Sequence, residues 1–174
     1  QWRWMPEDLG KFYVWVNVPE FLVRVVKDGT VIHEERVITG LPDKQTPIFS
    51  DELELVTVHP RWNVPDSIAR KDLLPRQQND PGHFTSSNIK VFPNHNRNGE
   101  AIDPDTIDWQ GIKHRFPYVL RQDPGKNNAL GRIKFMFSNS FDIYLHDTPS
   151  KSLFQRDIRT FSSGCKKKKK PLEF

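Results

Sequence analysis

Hydrophobic and polar positions divide this chain into three stretches of different rhythm. The first reads as strands. Phe12-Tyr13-Val14-Trp15-Val16-Asn17-Val18 is an unbroken β-prone run closed by Pro19, and Phe21-Leu22-Val23-Arg24-Val25-Val26 follows it. Asp28-Gly29 then separates this run from Val31-Ile32-His33-Glu34-Glu35-Arg36-Val37-Ile38. An Asp-Gly pair between β-branched runs predicts a two-residue hairpin, because a type I′ turn needs positive φ at both central residues. Gly40 and Pro42 close that unit. Leu53 to Val58 predicts another strand, stopped by His59-Pro60.

The middle stretch, from Asp66 to Lys126, is rich in Asn, Asp, Pro and Arg and has weak periodicity. Ser67 to Leu74 predicts a short helix with Ile68, Leu73 and Leu74 turned inward. Asp103-Pro104-Asp105-Thr106 has the pattern of an N-cap followed by Pro at the first helical position. Asn94 to Gly99 reads as a surface turn. A polar insertion of this length in a compact domain is usually a binding loop or a lid, the alternative being a decoration without a role.

Strands resume at Arg132-Ile133-Lys134-Phe135-Met136-Phe137, and Ser138-Asn139-Ser140 turns the chain. Phe141 to His146 alternates. Phe141, Ile143 and Leu145 share one face, and Asp142, Tyr144 and His146 the other, polar one. Ser150 to Phe161, with Leu153, Phe154, Ile158 and Phe161 as its apolar residues, predicts a short helix crossing back. The whole pattern predicts a mainly β fold rich in antiparallel pairs, with a partly helical insertion.

Composition sharpens this reading in two places. The 174 residues carry a formal charge of +4, but Lys166 to Lys170 are consecutive, and without them 21 basic residues face 22 acidic ones. A nucleic-acid binder spreads its Lys and Arg over a face, so the body of the domain does not read as one. Twelve Phe and five Trp exclude a disordered chain, and no run approaches the ~20 apolar residues of a membrane span. The first residue is Gln rather than Met. It predicts a fragment of a longer chain, with any targeting segment upstream of Gln1. The single Cys excludes an intramolecular disulfide and a multi-cysteine zinc site. His33, His59, His83, His95 and His114 show no metal-ligand spacing and read as surface or structural residues. No cofactor is predicted.

The chemistry concentrates between His146 and Cys165, 19 residues apart. A free thiol has a pKa of about 8.5, so Cys165 needs a neighbouring base to react near neutral pH. A His at a strand end, with the Cys returned to it by a crossover, could supply one. Gly164 would let the backbone approach a substrate, with the Gly164 and Cys165 N–H groups as an oxyanion hole. On these residues alone an inert buried Cys165 stays an open alternative.

His146-Asp147-Thr148-Pro149-Ser150-Lys151 together with Ser162-Ser163-Gly164-Cys165 resembles the active-site signature of the L,D-transpeptidases, the YkuD-type catalytic domain. The closer likeness is to the Gram-negative subgroup with a large lid insertion. Val16-Asn17-Val18-Pro19-Glu20-Phe21, Thr46-Pro47-Ile48-Phe49-Ser50, Trp62-Asn63-Val64-Pro65-Asp66-Ser67-Ile68 and Asn128 to Phe137 extend the similarity over most of the chain. The resemblance implies a β-sandwich or pseudobarrel spanning 1–174, with a partly helical lid over about 66–126. It implies a cysteine acyltransferase of the cell wall acting on peptidoglycan stem peptides. Cys165 would attack the third-residue carbonyl of a tetrapeptide stem and release D-alanine. A diamino-acid amine of a neighbouring stem would then resolve the thioester into a 3→3 cross-link. His146 would be the general base and later the acid, oriented by a backbone carbonyl near Asp147 or by the Asp147 carboxylate. Asp147, Ser162 and Ser163 would support the motif, and Trp62, Asn63, Tyr144 and Lys167 would touch substrate. A periplasmic location, a role in wall organisation and cell shape, and inhibition by carbapenems are implied with it.

Two departures follow. Ser163 stands where many members have His, which leaves His146 as the one base in the motif. Lys166 to Lys170 replace the apolar residue, the Arg and the β-prone stretch that the family carries after its Cys. Lys167, at the Arg position, keeps the charge and loses the bidentate fork. Five adjacent ammonium groups repel one another, so the strand after Cys165 is predicted to be lost, and so abrupt a departure reads as an alteration of the natural sequence. A catalytically impaired module that only binds stems is the alternative function, and a polyanion patch on the Lys run is a lesser one.

Overall fold

The computed structural model describes residues 6, 8–93, 96, 99–113, 116–162 and 166–168. Two compact units form, one from Gln1–Val58 with Leu130–Phe174 and the other from His59–Ala129. The first contains β1 (Phe12–Asn17), β2 (Leu22–Lys27), β3 (Thr30–Gly40) and β4 (Leu55–Val58). The second contains β5 (Trp62–Asn63), β6 (Ile89–Pro93) and β7 (Tyr118–Gln122). The chain then returns to the first for β8 (Ile133–Met136), β9 (Leu145–His146), β10 (Thr160–Ser162) and β11 (Lys166–Lys168). The fold is mainly β, and the larger sheet is curled.

That sheet runs β1-β2-β3-β11-β9-β8-β4, with β10 also paired to β3. Its hairpin is built as the sequence predicts. Asp28 and Gly29 both have positive φ, 47° and 77°, and Lys27 pairs with Thr30 across them. An L-residue tolerates this conformation poorly, so Gly at the second position removes the steric cost.

β3 is the organising strand. Its 11 residues outlast β2, whose ladder ends where Leu22 meets Arg36. Alternate N–H groups of a strand leave by the same edge. Val37 N–H donates to Phe21 O, and the next two on that edge, Thr39 and Leu41, donate to Arg159 O and Ser162 O, each at 2.9 Å. So β10 takes over the edge that β2 vacates, and β11 lies antiparallel along the other. Arg159 holds this junction. It is buried, and its guanidinium donates to Val37 O, Phe21 O and Arg156 O. Burial, with the Arg36 charge beside it, pulls its pKa below the usual arginine value.

Three expectations for this unit need correction. The strand read over Phe141 to His146 is only Leu145–His146. Asn139 explains why: its side-chain oxygen accepts from Phe141 N and Ile143 N, and its amide donates to Phe137 O and Ile143 O. Those backbone groups are engaged locally and cannot join a ladder. The helix read over Ser150 to Phe161 shrinks to a 3₁₀ turn, Lys151–Gln155, that buries Phe154. Beyond it the Arg159 and Ser162 bonds to β3 draw the chain out straight, and Ile158 is left 69% exposed. The strand predicted to be lost to the Lys run is present as β11 over Lys166–Lys168. Ladder bonds come from the main chain, so repulsion among side chains does not by itself abolish the pairing.

The second unit packs a helical segment over the three-stranded sheet β5-β7-β6. The short helix predicted from Ser67 continues past Leu74. Asp66–Ile68 (α1) passes through a π-turn, Ala69–Leu73, into Leu74–Asn79 (α2), and His83–Ser86 (α3) follows. Pro75 would deprive an ordinary helix of a donor and crowd the preceding turn. The π-turn just before it widens the ladder, with Leu74 N–H donating to Ala69 O, so the helix continues instead of stopping. Leu73 and Leu74 are buried as expected and Ile68 partly so. Asp103 caps a single 3₁₀ turn, Pro104–Thr106, accepting from Asp105 N at 3.0 Å. The core is aromatic: Trp109 stands edge-on to Phe84 at 5.0 Å between ring centres and donates its indole N–H to Pro104 O. The turn read over Asn94 to Gly99 lies mostly outside the described residues.

Candidate active site

β9 is two residues long, yet it carries the residue with the clearest chemistry. His146 pairs with Lys134 of β8, and Leu145 with Phe135. The ladder sets Tyr144, Lys134 and His146 side by side. The Tyr144 and His146 ring centres lie 5.5 Å apart, and the Lys134 ammonium sits 3.8 Å from the centre of the Tyr144 ring. This face was read as the polar one. In the structure its end is buried at His146, 3% exposed, as is Leu145 on the opposite face, so this short strand is covered on both sides.

His146 Nδ1 lies 2.5 Å from the carbonyl oxygen of Asp147. A carbonyl can only accept, so Nδ1 carries the proton, and in the neutral form of the ring the lone pair is on Nε2. That is the tautomer a general base needs. The orienting group is thus the backbone carbonyl. The Asp147 carboxylate points elsewhere: it accepts from Arg132 N at 3.0 Å and forms an ion pair with the Lys151 ammonium. Asp147 N–H donates to Ile133 O at 2.9 Å. Gly131, with φ 63°, packs so closely on Asp147 that a Cβ there would overlap its carboxyl group. Gly131, Arg132 and Lys151 are contributions the sequence reading did not assign. Gly131 entered only as part of a similar segment, Arg132 also as the first residue of a strand, and Lys151 as the last residue of the His146 motif.

Ser162 ends β10, buried. Ser163, Gly164 and Cys165 lie outside the described residues. In the chain they link β10 to β11, whose Lys166 and Lys167 pair in parallel with Leu145 and His146. Lys167 also stands opposite Ile38 of β3. Trp62 and Asn63 belong to the second unit, where they pair with Gln122 and Arg121. Trp62 packs against that unit's own core and Asn63 is exposed. No group of three or more His, Cys, Asp or Glu with metal-binding geometry occurs among the described residues.

The family model for the L,D-transpeptidase catalytic domain, YkuD, matches residues 11–166. The chain belongs to this family. The match takes in the strands around β3, the segment 59–129 and the His146-to-Cys165 interval. A Haemophilus influenzae protein named "Putative L,D-transpeptidase" is 41% identical over 152 residues, 87% of this chain. The chain spans 30% of that relative's length. As a member of the L,D-transpeptidase domain family, the chain has its His146 on the strand beside β11 and its one Cys immediately before β11. No helix among the described residues is long and apolar enough to cross a membrane.

Proposed function

We propose that this domain is a cysteine acyltransferase that cross-links peptidoglycan stem peptides. The observation that carries the reading is the His146 Nδ1 bond to the Asp147 carbonyl, on a strand paired with the residues that follow Cys165. Nε2 of His146 takes the Cys165 proton as the sulfur attacks the third-residue carbonyl of a tetrapeptide stem. The Gly164 and Cys165 N–H groups hold the oxyanion, each such donor being worth ~10²–10³ in rate. The imidazolium returns the proton to the departing amine of D-alanine, and a thioester remains. An amine of a diamino acid on a second stem loses a proton to His146 and attacks the thioester. The sulfur leaves as the tetrahedral adduct collapses, giving a 3→3 amide and free Cys165.

Ser162, Ser163 and Asp147 support this motif, and Tyr144, Lys167, Trp62 and Asn63 are the substrate contacts in this reading. The partly helical insertion over about 66–126 is the lid in this reading. Wall peptides place the reaction in the periplasm, and carbapenems acylate Cys165 as false donors. The alternative of an impaired binding module rested on loss of the strand after Cys165. β11 forms over 166–168, which removes that ground for the alternative.

Incubation with a purified tetrapeptide stem, followed by mass spectrometry, tests the reading. Release of D-alanine and a 3→3 dimer are expected, both lost in Cys165→Ala and His146→Ala. D-Alanine release that survives Cys165→Ala, or none at all from the folded parent, would overturn it.

A further inference from the structure

We infer that the Asp147 carboxylate, held by Gly131, the Arg132 N–H and the Lys151 ammonium, is a positioning device for the catalytic imidazole. The inference rests on the reading of His146 as the base and adds the residues that keep it aimed. His146 takes its tautomer from one carbonyl, that of Asp147, at 2.5 Å. A carbonyl in a loop directs a ring only if the loop is fixed. Here the residue supplying it is fixed from three sides. Its N–H is tied to Ile133 O at 2.9 Å. Its Oδ2 accepts from Arg132 N at 3.0 Å and its Oδ1 pairs with Lys151. Gly131, at φ 63°, leaves room for the carboxyl group where any side chain would displace it.

The chemistry fits a fixed carboxylate. At 4% exposure a charged Asp147 needs both partners, and it has them. The Lys151 stem lies on the surface while its ammonium reaches inward, so the pair is closed from the solvent side. The same residue that begins the 3₁₀ turn Lys151–Gln155 therefore clamps the loop that aims His146. Loss of the charge on Asp147 would remove the Lys151 attraction and let the carbonyl drift. A misplacement of about 1 Å in a catalytic group costs on the order of 10²-fold in rate.

The test uses the full chain and two readouts. One is the pH–rate profile of Cys165 alkylation by iodoacetamide. The other is the nitrogen-15 spectrum of the His146 ring, which distinguishes Nδ1–H from Nε2–H. Asp147→Asn and Gly131→Ala are expected to lower the alkylation rate at neutral pH about 10- to 100-fold and to mix the two tautomers. Lys151→Met should do so less, and Asp147→Glu should not restore the parent profile because Gly131 leaves no space for a longer chain. If Asp147→Asn fails to fold, Lys151→Met and Lys151→Arg carry the test, Arg being expected to rescue. Folded variants of Asp147 and Gly131 with the parent profile and a pure Nδ1–H ring would overturn the inference. An alkylation profile unchanged in His146→Ala would instead overturn the underlying reading of His146 as the base.

Discussion

Both compact units bury polar side chains, and the two sets differ in kind. Among the described residues of the unit 59–129, the polar side chains buried as a whole are neutral amides. Gln77 donates to Pro81 O and accepts from Phe84 N. Gln122 donates to Ser87 O and Asn127 O and accepts from Ala129 N. Asn128 donates to Pro60 O and Asp123 O. Each saturates main-chain groups of an irregular segment, which would otherwise be buried without partners. In the first unit the buried polar residues include His146, Asp147 and Arg159, which are titratable or charged. The amides exchange no protons, so their loss costs stability alone. At His146 the Nδ1 atom is tied to the Asp147 carbonyl, and in the proposed reaction Nε2 takes the proton. The amides are therefore structural, whereas the first unit's buried charged and titratable groups divide between Arg159, which holds the junction at β3, and His146, the proposed base.

The largest effect expected from this contrast is at His146. His146→Ala should lower D-alanine release by ~10²–10⁴, the range of general acid–base catalysis, while the melting temperature falls only modestly. A variant that lost stability in proportion to activity would break the distinction. Next comes the aromatic core of the other unit. Phe84 is fully buried, and Phe84→Ala should cost about 3–5 kcal/mol in denaturant unfolding, with the Cys165 alkylation rate of the folded protein unchanged. Asn128→Ala leaves two or more carbonyls without a donor and should cost about 1–3 kcal/mol, again with the alkylation rate kept.

The smallest effect concerns pH. Asp123 is held below the usual carboxylate range first by its hydrogen bond to the Lys90 ammonium, then by the Lys90, Arg121 and Arg61 charges, against burial. Its folded-state pKa is depressed, so its contribution is complete above the ordinary Asp value of about 3.9 and is lost as pH falls through the folded value. Lys90 and Arg61 are largely exposed, which limits the contribution to ~1 kcal/mol. Asp123→Asn should lower the melting temperature slightly at pH 7 and make no difference well below pH 3 in parallel melts.

How much of this was legible in the sequence varies by the kind of physics involved. The Asp28-Gly29 hairpin was, because turn chemistry is local. The pairing of His146 with Cys165 rests on spacing and resemblance, and Cys165 lies outside the described residues. The length of β9 was not legible, since nothing in the alternation of Phe141 to His146 reports that Asn139 occupies the backbone groups there. The helix past Pro75 was missed because a π-turn leaves no mark in the hydrophobic pattern. β11 was misread because side-chain repulsion was weighed and main-chain pairing was not. The clamp on Asp147 was hidden for a related reason. Its parts, Gly131, Arg132 and Lys151, lie 16, 15 and 4 residues away in the chain, and two of its bonds are made by backbone atoms.

The central claim is that His146, aimed by the Asp147 carbonyl, makes Cys165 the nucleophile of acyl transfer. Intact-mass analysis of the chain quenched during turnover of a tetrapeptide stem tests it most directly. The account predicts an adduct on Cys165 with the mass of the stem less D-alanine, absent in Cys165→Ala and strongly slowed in His146→Ala. An adduct on another residue, or one that forms on Cys165 at the parent rate in His146→Ala, would contradict it.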